Sequence, residues 1–116
     1  MTAKEYLQQA YMIDREIDLD IIKLEAKRAA FPGKTCESYE REINAKIDKL
    51  VEKRLEIEKA IDAVPDARYR EILTRRYLLH QAWDLISEQM GYSLSHLYKL
   101  HGSALQKISV PHSQSE

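Results

Sequence analysis

The sequence is poor in the residues that interrupt helices or crosslink chains. Its 116 residues include three glycines, three prolines and one cysteine, Cys36. So little glycine and proline predicts long, uninterrupted helices. A single thiol cannot form a disulfide within the chain, and we interpret Cys36 as an incidental loop residue in a protein of a reducing compartment.

Long apolar runs are missing as well. No segment approaches the roughly 20 apolar residues that span a bilayer, and residues 1–9 are polar rather than signal-like. We therefore expect a cytoplasmic protein without a membrane partner.

The motifs that mark common classes of enzyme are absent. There is no glycine-rich phosphate loop, no Cys/His zinc spacing and no nucleophile elbow. Acidic pairs such as Asp18 and Asp20 have Lys23 and Lys27 within reach, so we interpret them as solvated helix surface. The chain is not expected to be an enzyme, and no cofactor, metal site or catalytic residue is predicted.

Charge is balanced over the whole chain but unevenly distributed along it. Lys and Arg number 18 against 19 Asp and Glu. Residues 1–63 hold 12 basic and 14 acidic residues, whereas residues 64–108 hold six basic and four acidic residues and three of the four histidines. This asymmetry weakly favours nucleic-acid binding by the C-terminal part.

Two periodic runs occupy the first half of the chain, separated by a break at residues 32–35. Apolar residues recur in steps of three and four, which is typical of amphipathic helices. They are Tyr6, Ala10, Ile13, Ile17, Ile21 and Leu24 in the first run, and Ile43, Ile47, Leu50, Ile57, Ile61 and Val64 in the second, with Arg54 at the one polar position of the repeat. The pattern predicts an antiparallel helical hairpin, similar to a coiled coil, over residues 1–63.

The apolar stripes of the two hairpin helices are wider than the packing of one helix on the other would bury. Ile22, Val51 and Leu55 extend the stripes, and a two-helix hairpin rarely buries enough apolar surface to be stable alone. We favour a homodimer in which two hairpins form a four-helix bundle. The alternative is that the hairpin packs on its own C-terminal domain.

The second half predicts three shorter helices. Val64, Pro65 and Asp66 mark a boundary, because proline is tolerated in the first turn of a helix and poorly inside one. We predict helices over residues 66–79, 83–90 and 94–108, with a short break at residues 80–82. Residues 109–116 are expected to be a flexible tail.

The last two of these helices form a helix-turn-helix pattern. Gly91 stands where the short helix must stop, and glycine adopts a left-handed C-terminal conformation without steric cost. Ser93 is a preferred N-cap for the next helix, and Leu97 and Leu100 then face inward. A short helix, a tight turn and a second helix are typical of modules that place the second helix in the DNA major groove. Residues 64–108 are therefore predicted to bind double-stranded DNA.

The outward residues of that second helix are the candidate readers. The predicted DNA-binding residues are Tyr92, Ser93, Leu94, Ser95, His96, Tyr98 and Lys99. The predicted DNA-backbone contacts are Arg75, Arg76, Gln81 and Lys107. Hydroxyl, imidazole and ammonium groups bind base edges or phosphates, and an apolar side chain contacts a thymine methyl group or a sugar. Tyr92 is equally consistent with packing in the turn.

The stretch from Tyr69 to Ile108 resembles region four of bacterial sigma factors. The likeness rests on the run Leu73-Thr74-Arg75-Arg76-Tyr77, on the helix ending at Gly91, and on a late Ala104-Leu105-Gln106-Lys107-Ile108. The residue pattern of this stretch resembles ArpU/RinA-type phage transcription regulators more closely still. That likeness rests on Trp83, Gly91, Tyr92, Ser93, Tyr98, His101, Ala104 and Leu105. The sequence departs from the sigma pattern at the reader positions, so a sigma-type promoter sequence does not carry over.

The resemblance implies a phage-encoded, sequence-specific transcription regulator, an activator of late genes in the cytoplasm of a bacterial host. Its fold would be all-α, a long hairpin followed by a three-helix, sigma-like helix-turn-helix domain. Host RNA polymerase is then a second partner to consider. Two alternatives stay open: an adaptor that docks on polymerase or a sigma factor, and a small terminase-like DNA-packaging protein.

Overall fold

The fold is all-helical, as predicted. The computed structural model describes residues 1–32 and 37–111, and these contain no strand. Five α-helices are present within this range: α1 (Ala3–Ala30), α2 (Glu37–Asp62), α3 (Ala67–Leu73), α4 (Trp83–Met90) and α5 (Leu94–Gln106). In the part of the chain so described, no helix combines the length and the apolar character that a membrane crossing requires.

Three predictions fall wholly or partly on residues outside these ranges. They are the break over residues 32–35, the loop position of Cys36 and the tail over residues 109–116. The short helix is confirmed at Trp83–Met90, and the last helix begins at Leu94 but ends two residues early, at Gln106.

The third helix is not one regular α-helix. It begins after Asp66, whose side chain caps the backbone N–H of Arg68, and α3 ends at Leu73. The chain then continues as a π-helical turn over Thr74–Leu78, in which the N–H of Leu79 reaches back to the carbonyl of Thr74. The expectation of an uninterrupted helix over 66–79 is therefore corrected by the wider turn at its end.

The first two helices lie side by side and run in opposite directions. Their cross-links join Asp14 to Arg54, Asp20 to Lys46, and Arg28 to Glu40, so residue numbers rise on α1 as they fall on α2. The α1 helix begins in a capping box, in which Thr2 and Glu5 exchange side-chain-to-backbone hydrogen bonds of 2.9 and 3.1 Å.

One hydrophobic core joins this helical pair to the C-terminal helices. Leu7 of α1 and Ile61 of α2 are fully buried and belong to the same cluster as Leu73, Tyr77 and Ala104. The remaining buried members of the cluster are Tyr6, Ala10, Ile13, Ile57, Val64 and Ile108. At the end of the hairpin formed by the start of α1 and the end of α2, the two helices pack on the chain's own C-terminal helices, which is the alternative given in the sequence analysis.

Asp20 is a correction to the sequence analysis. We expected a solvated carboxylate, but Asp20 has no exposed surface. Its Oδ1 accepts from Lys46 at 3.3 Å, while Oδ2 has no hydrogen-bond partner among the described residues. The side chain is buried where α1 meets Lys46 of α2, and residue spacing alone does not distinguish this position from the solvated face.

Two glycines should respond in opposite ways to alanine. Gly91 has a φ of 75°, where a Cβ is strained, so Gly91→Ala should destabilise the fold by about 1 kcal/mol. Gly102 lies within α5, and an added Cβ there would meet nothing within 4 Å. Gly102→Ala should therefore stabilise by about 0.5–1 kcal/mol, because glycine costs a helix backbone entropy. Urea unfolding of the pair measures both, and a loss of stability in Gly102→Ala would contradict the exposed placement.

Candidate nucleic-acid interface

The turn between α4 and α5 is built from local hydrogen bonds. Gly91 takes the left-handed conformation, and the N–H groups of Gly91 and Tyr92 both donate to the carbonyl of Ser87. The Ser87 hydroxyl in turn donates to the carbonyl of Tyr92. The Ser93 side chain then accepts from the backbone N–H of His96 at 3.2 Å and caps α5. The direction in which α5 starts is thus fixed by hydrogen bonds among Ser87, the three consecutive residues 91–93, and His96.

A second, smaller core holds α5 against the helices before it. Ile72 of α3, Ile86 of α4, and Leu97 and Leu100 of α5 are buried together. Tyr69, Trp83, Met90 and Tyr92 pack around this cluster. Because Leu97 and Leu100 face inward, the 100° step per residue turns Ser95 and Lys99 outward.

The central predicted readers are exposed to solvent. Ser95, His96 and Lys99 are all exposed, and they line one shallow groove together with Ser93 and Ser103. Hydroxyls, an imidazole and an ammonium group therefore share one face of the first turns of α5. That face carries the donors and acceptors that binding of base edges or phosphates requires.

The aromatic and apolar members of the predicted set flank this face. Tyr92 stacks on His96 with ring centroids 4.9 Å apart and packs against the smaller core, so its packing role is present in the structure. Tyr98 lies on the other flank, edge-on to Trp83 at 5.5 Å, and remains about half exposed. Leu94 is also exposed at the start of α5.

Two of the four predicted backbone contacts, Arg75 and Arg76, are held by other residues of the chain. Arg75 bonds to Glu71, Gln81 and Gln89. Arg76 donates to the carbonyl of Gln81 and lies 4.6 Å over the ring of Trp83.

The groove beside Arg76 opens towards α1, since Gln8, Tyr11, Met12 and His80 also line it. Lys107 is exposed at the C-terminal end of α5, away from its first turns. Arg75 and Arg76 are therefore engaged within the chain, and only Lys107 is as open to solvent as the readers.

Arg68 is the basic residue that sequence reasoning missed. It is exposed on α3 and bound by Asp66 through Nε and Nη2, and its guanidinium lies 5.7 Å from the centre of the Tyr69 ring. Tyr69 packs with Tyr92 around the smaller core, so α3 brings Arg68 towards the turn that precedes α5. Nothing in the spacing of residues 69 and 92 signals this, because it arises only when α3 packs on α5.

His101 faces the interior rather than the groove. Its Nε2 is 2.7 Å from the hydroxyl of Tyr77, and its ring packs edge-on to Trp83 at 4.7 Å. Burial, with smaller contributions from the charges of Lys4 and Arg76, lowers the pKa of His101 from 6.5 to about 4. At neutral pH the imidazole is therefore uncharged and serves as a packing and hydrogen-bonding group.

Acidification should consequently destabilise the protein through His101. The unfolded chain binds a proton near pH 6.5 but the folded chain only near the lowered pKa of about 4, so stability falls as the pH decreases across this window. We expect a loss of about 1–2 kcal/mol, less than the full shift implies, because solvent screens the partly exposed ring. Urea unfolding at several pH values between 7 and 4 should show that the free energy of unfolding falls less with decreasing pH in His101→Gln than in the wild-type protein. An identical pH dependence in both proteins would contradict this role.

The chain matches one family model over residues 36–109, described as a protein of unknown function, DUF1492. The chain belongs to the DUF1492 family. The match covers more than half of the chain, from just before α2 to just after α5. No curated protein and no solved structure matches the sequence.

The DUF1492 match contains every residue of the candidate interface. It includes the turn at Gly91, all of α5, and also Arg68 and the arginines of the π-helical turn. The α1 helix lies outside the matched range. The comparisons identify this family and do not point to phage regulators of the ArpU/RinA type.

Proposed function

We propose that this DUF1492 protein is a sequence-specific DNA-binding transcription regulator that inserts the first turns of α5 into the major groove. The observation that carries the proposal is the exposed face of Ser95, His96 and Lys99 on a helix whose start is fixed by Gly91 and Ser93. Helices held in this way project their N-terminal residues toward base edges.

The contacts divide into two kinds by position. Ser95, His96 and Lys99 are proposed to contact bases, while Leu94 and Tyr98 contact thymine methyl groups or sugars at the edge of the groove. Arg68 and Lys107 are proposed to bind the flanking phosphates, because both are exposed near α5. Arg68 would have to leave Asp66, a local partner two residues away, to bind a phosphate. Arg75 and Arg76 are half-buried and are held by Gln81, Gln89 and Trp83, so we assign them a structural role instead.

The biological setting comes from the sequence resemblance. The likeness to ArpU/RinA-type regulators and to sigma region four supports a hairpin joined to a sigma-like helix-turn-helix domain. It also supports a phage origin and activation of late genes in the host cytoplasm. The division of the chain near residue 63 belongs to the same proposal, and α2 ends beside it at Asp62.

The test is selection of bound sites from random duplex DNA, followed by affinity measurements on the selected duplex. Lys99→Ala should weaken binding by roughly tenfold or more and relax the preference at one or two base positions. His96→Ala and Ser95→Ala should relax other positions. Arg68→Ala should weaken binding to all sequences about equally and flatten the dependence of affinity on salt.

Lys53→Ala is the matched control for these variants. It removes the same charge from an exposed position on α2, away from α5, and should leave the affinity within about twofold. If no sequence is enriched, or if Lys53→Ala weakens binding as much as Lys99→Ala, the proposed readers are wrong.

The adaptor alternative is favoured by one feature of α5. Lys99 is the only lysine or arginine within Leu94–Gln106, so the helix offers little charge to attract phosphates. An adaptor would bind RNA polymerase or a sigma factor through the same exposed face. Retained binding to polymerase with no duplex binding at low salt would favour this alternative over the regulator.

A further inference from the structure

A glycine occupies the most outward position of α5. The buried residues of this helix are Leu97, Leu100 and Ala104. At 100° per residue, Gly102 lies almost directly opposite the line that they form. Gly102 is exposed and lies in the interior of the helix, four residues before Gln106, where α5 ends. After proline, glycine is the residue that a helix interior tolerates least, so it is an unusual residue for the centre of an exposed helix face.

Neither of the usual reasons for a glycine applies to Gly102 within the chain. Gly91 has a positive φ but Gly102 does not, so its backbone has a conformation that any residue adopts in a helix. A Cβ added to Gly102 would meet nothing within 4 Å in the described part of the chain, so no neighbouring helix requires the space. The remaining reason is an approach from outside the chain that is closer than a side chain would allow.

The side chains around Gly102 can donate hydrogen bonds and carry no negative charge. Ser103 follows Gly102, and Gln106 lies one turn later on the same face, about 40° from Gly102 around the helix axis. Lys107, which caps the end of α5, is exposed one turn beyond Ser103. The α5 helix contains no aspartate or glutamate, so no carboxylate of this helix competes with a bound anion. Hydroxyl, amide and ammonium groups are among those that bind phosphate oxygens in protein–DNA complexes.

We propose that the sugar–phosphate backbone of bound DNA passes directly over Gly102, with one phosphate bound by Ser103 and Gln106. This contact rests on the proposed function and adds the direction in which α5 crosses the groove. Ser95 and Gly102 lie nearly in line on α5, about 10.5 Å apart along the helix axis. The major groove is about 12 Å wide, so a helix that crosses it with Ser95 at the bases brings Gly102 to the rim. A helix that lies along the groove would place bases opposite Gly102 instead.

The first test is the affinity of the full chain for the selected duplex in a series of increasing side-chain size at residue 102. Gly102→Ala should weaken binding about tenfold, and Gly102→Leu should weaken it further, because each added atom lies between α5 and the DNA backbone. The preference for individual bases should not change, since no base is contacted here. Both variants should nonetheless unfold at a higher urea concentration than the wild-type protein, because alanine and leucine favour a helix more than glycine does. A purely structural role of Gly102 would not combine higher stability with lower affinity.

Ala26→Leu is the matched control for this series. It adds a side chain at an exposed position in the second half of α1 and should leave the affinity within about twofold. Unchanged affinity in both Gly102 variants, while Lys99→Ala still weakens binding, would overturn the backbone contact and leave the proposed function intact. If the wild-type chain selects no duplex, the contact and the proposed function both fail. If Gly102→Leu weakens only binding to RNA polymerase, the close partner is a protein and the DNA contact is wrong.

The bound phosphate can be located with duplexes in which one phosphate at a time is replaced by an uncharged methylphosphonate. Replacement of the phosphate beside Gly102 should weaken binding of the wild-type protein severalfold, and Gln106→Ala should do the same with the unmodified duplex. Because the two changes remove the same interaction, their combination should weaken binding little more than either change alone. Fully additive losses at every phosphate position would show that Gln106 does not bind the DNA backbone and would overturn the proposed phosphate site.

Discussion

Leu7→Ala should lower the free energy of unfolding by about 3 kcal/mol. Leu7 is fully buried on α1, in a cluster that also contains Ile61 of α2 and Ala104 of α5. Removal of its side chain leaves a cavity between the helical pair and the C-terminal helices. Urea unfolding followed by far-UV circular dichroism and by Trp83 fluorescence should show the same reduced midpoint with both probes, because the two parts share this core.

The control for this variant is Leu55→Ala. Leu55 is a leucine with almost half of its surface exposed, so its truncation should change stability by less than about 0.5 kcal/mol. Should the fluorescence of Trp83 keep its wild-type midpoint in Leu7→Ala while the helical signal shifts, the C-terminal helices would be folding independently of the hairpin. That result would contradict the shared core.

Arg54→Ala should destabilise the protein by about 2–3 kcal/mol. Arg54 lies on α2 and donates to Asp14 of α1, to Glu58, and to the carbonyl of Leu78 at 3.0 Å, at the end of the π-helical turn. Burial alone would raise the pKa of Asp14, but the hydrogen bonds from Arg54 and His80 outweigh it and hold that pKa below its usual value. Loss of the guanidinium leaves the Leu78 carbonyl without its side-chain donor and leaves the partly buried Asp14 carboxylate with His80 as its remaining partner.

Arg54→Lys distinguishes geometry from charge. An ammonium group keeps the charge beside Asp14, but it cannot reach acceptors on three separate elements as the planar guanidinium does. We expect Arg54→Lys to retain at least half of the loss seen in Arg54→Ala, measured by urea unfolding at pH 7. Full recovery of stability by lysine would mean that charge alone matters at this position.

Local signals in the sequence predicted the short helices well. Gly91 and Ser93 each act within a few residues of their own position, so the end of α4 and the start of α5 follow from the residues themselves. The π-helical turn does not, because its wider backbone brings Tyr77 to His101 and the Leu78 carbonyl to Arg54, which are distant in sequence. The burial of Asp20 likewise depends on how closely α1 and α2 approach.

The candidate site was predictable to the extent that it lies on one helix. Helical periodicity places Ser95 and Lys99 outside, and His96 at the side of the helix, once Leu97 is inside. The engagement of Arg75 with Gln89 and of Arg76 with Trp83, both on α4, consists of tertiary contacts. A single sequence does not show which arginines have hydrogen-bond acceptors on other helices, so all arginines on an apparently exposed face are predicted to be equally available.

The common core has a consequence for the proposed binding of this protein to DNA. Ala104 near the end of α5 and Ile108 just after it are buried in one cluster with residues of α1 and α2, so no flexible linker separates α5 from the long helical pair. Without a flexible linker, α5 cannot change its orientation relative to the helical pair. The DNA would then have to bend to fit the protein. We therefore expect easily kinked pyrimidine–purine steps between the contacted bases of its operators, at positions that no side chain touches.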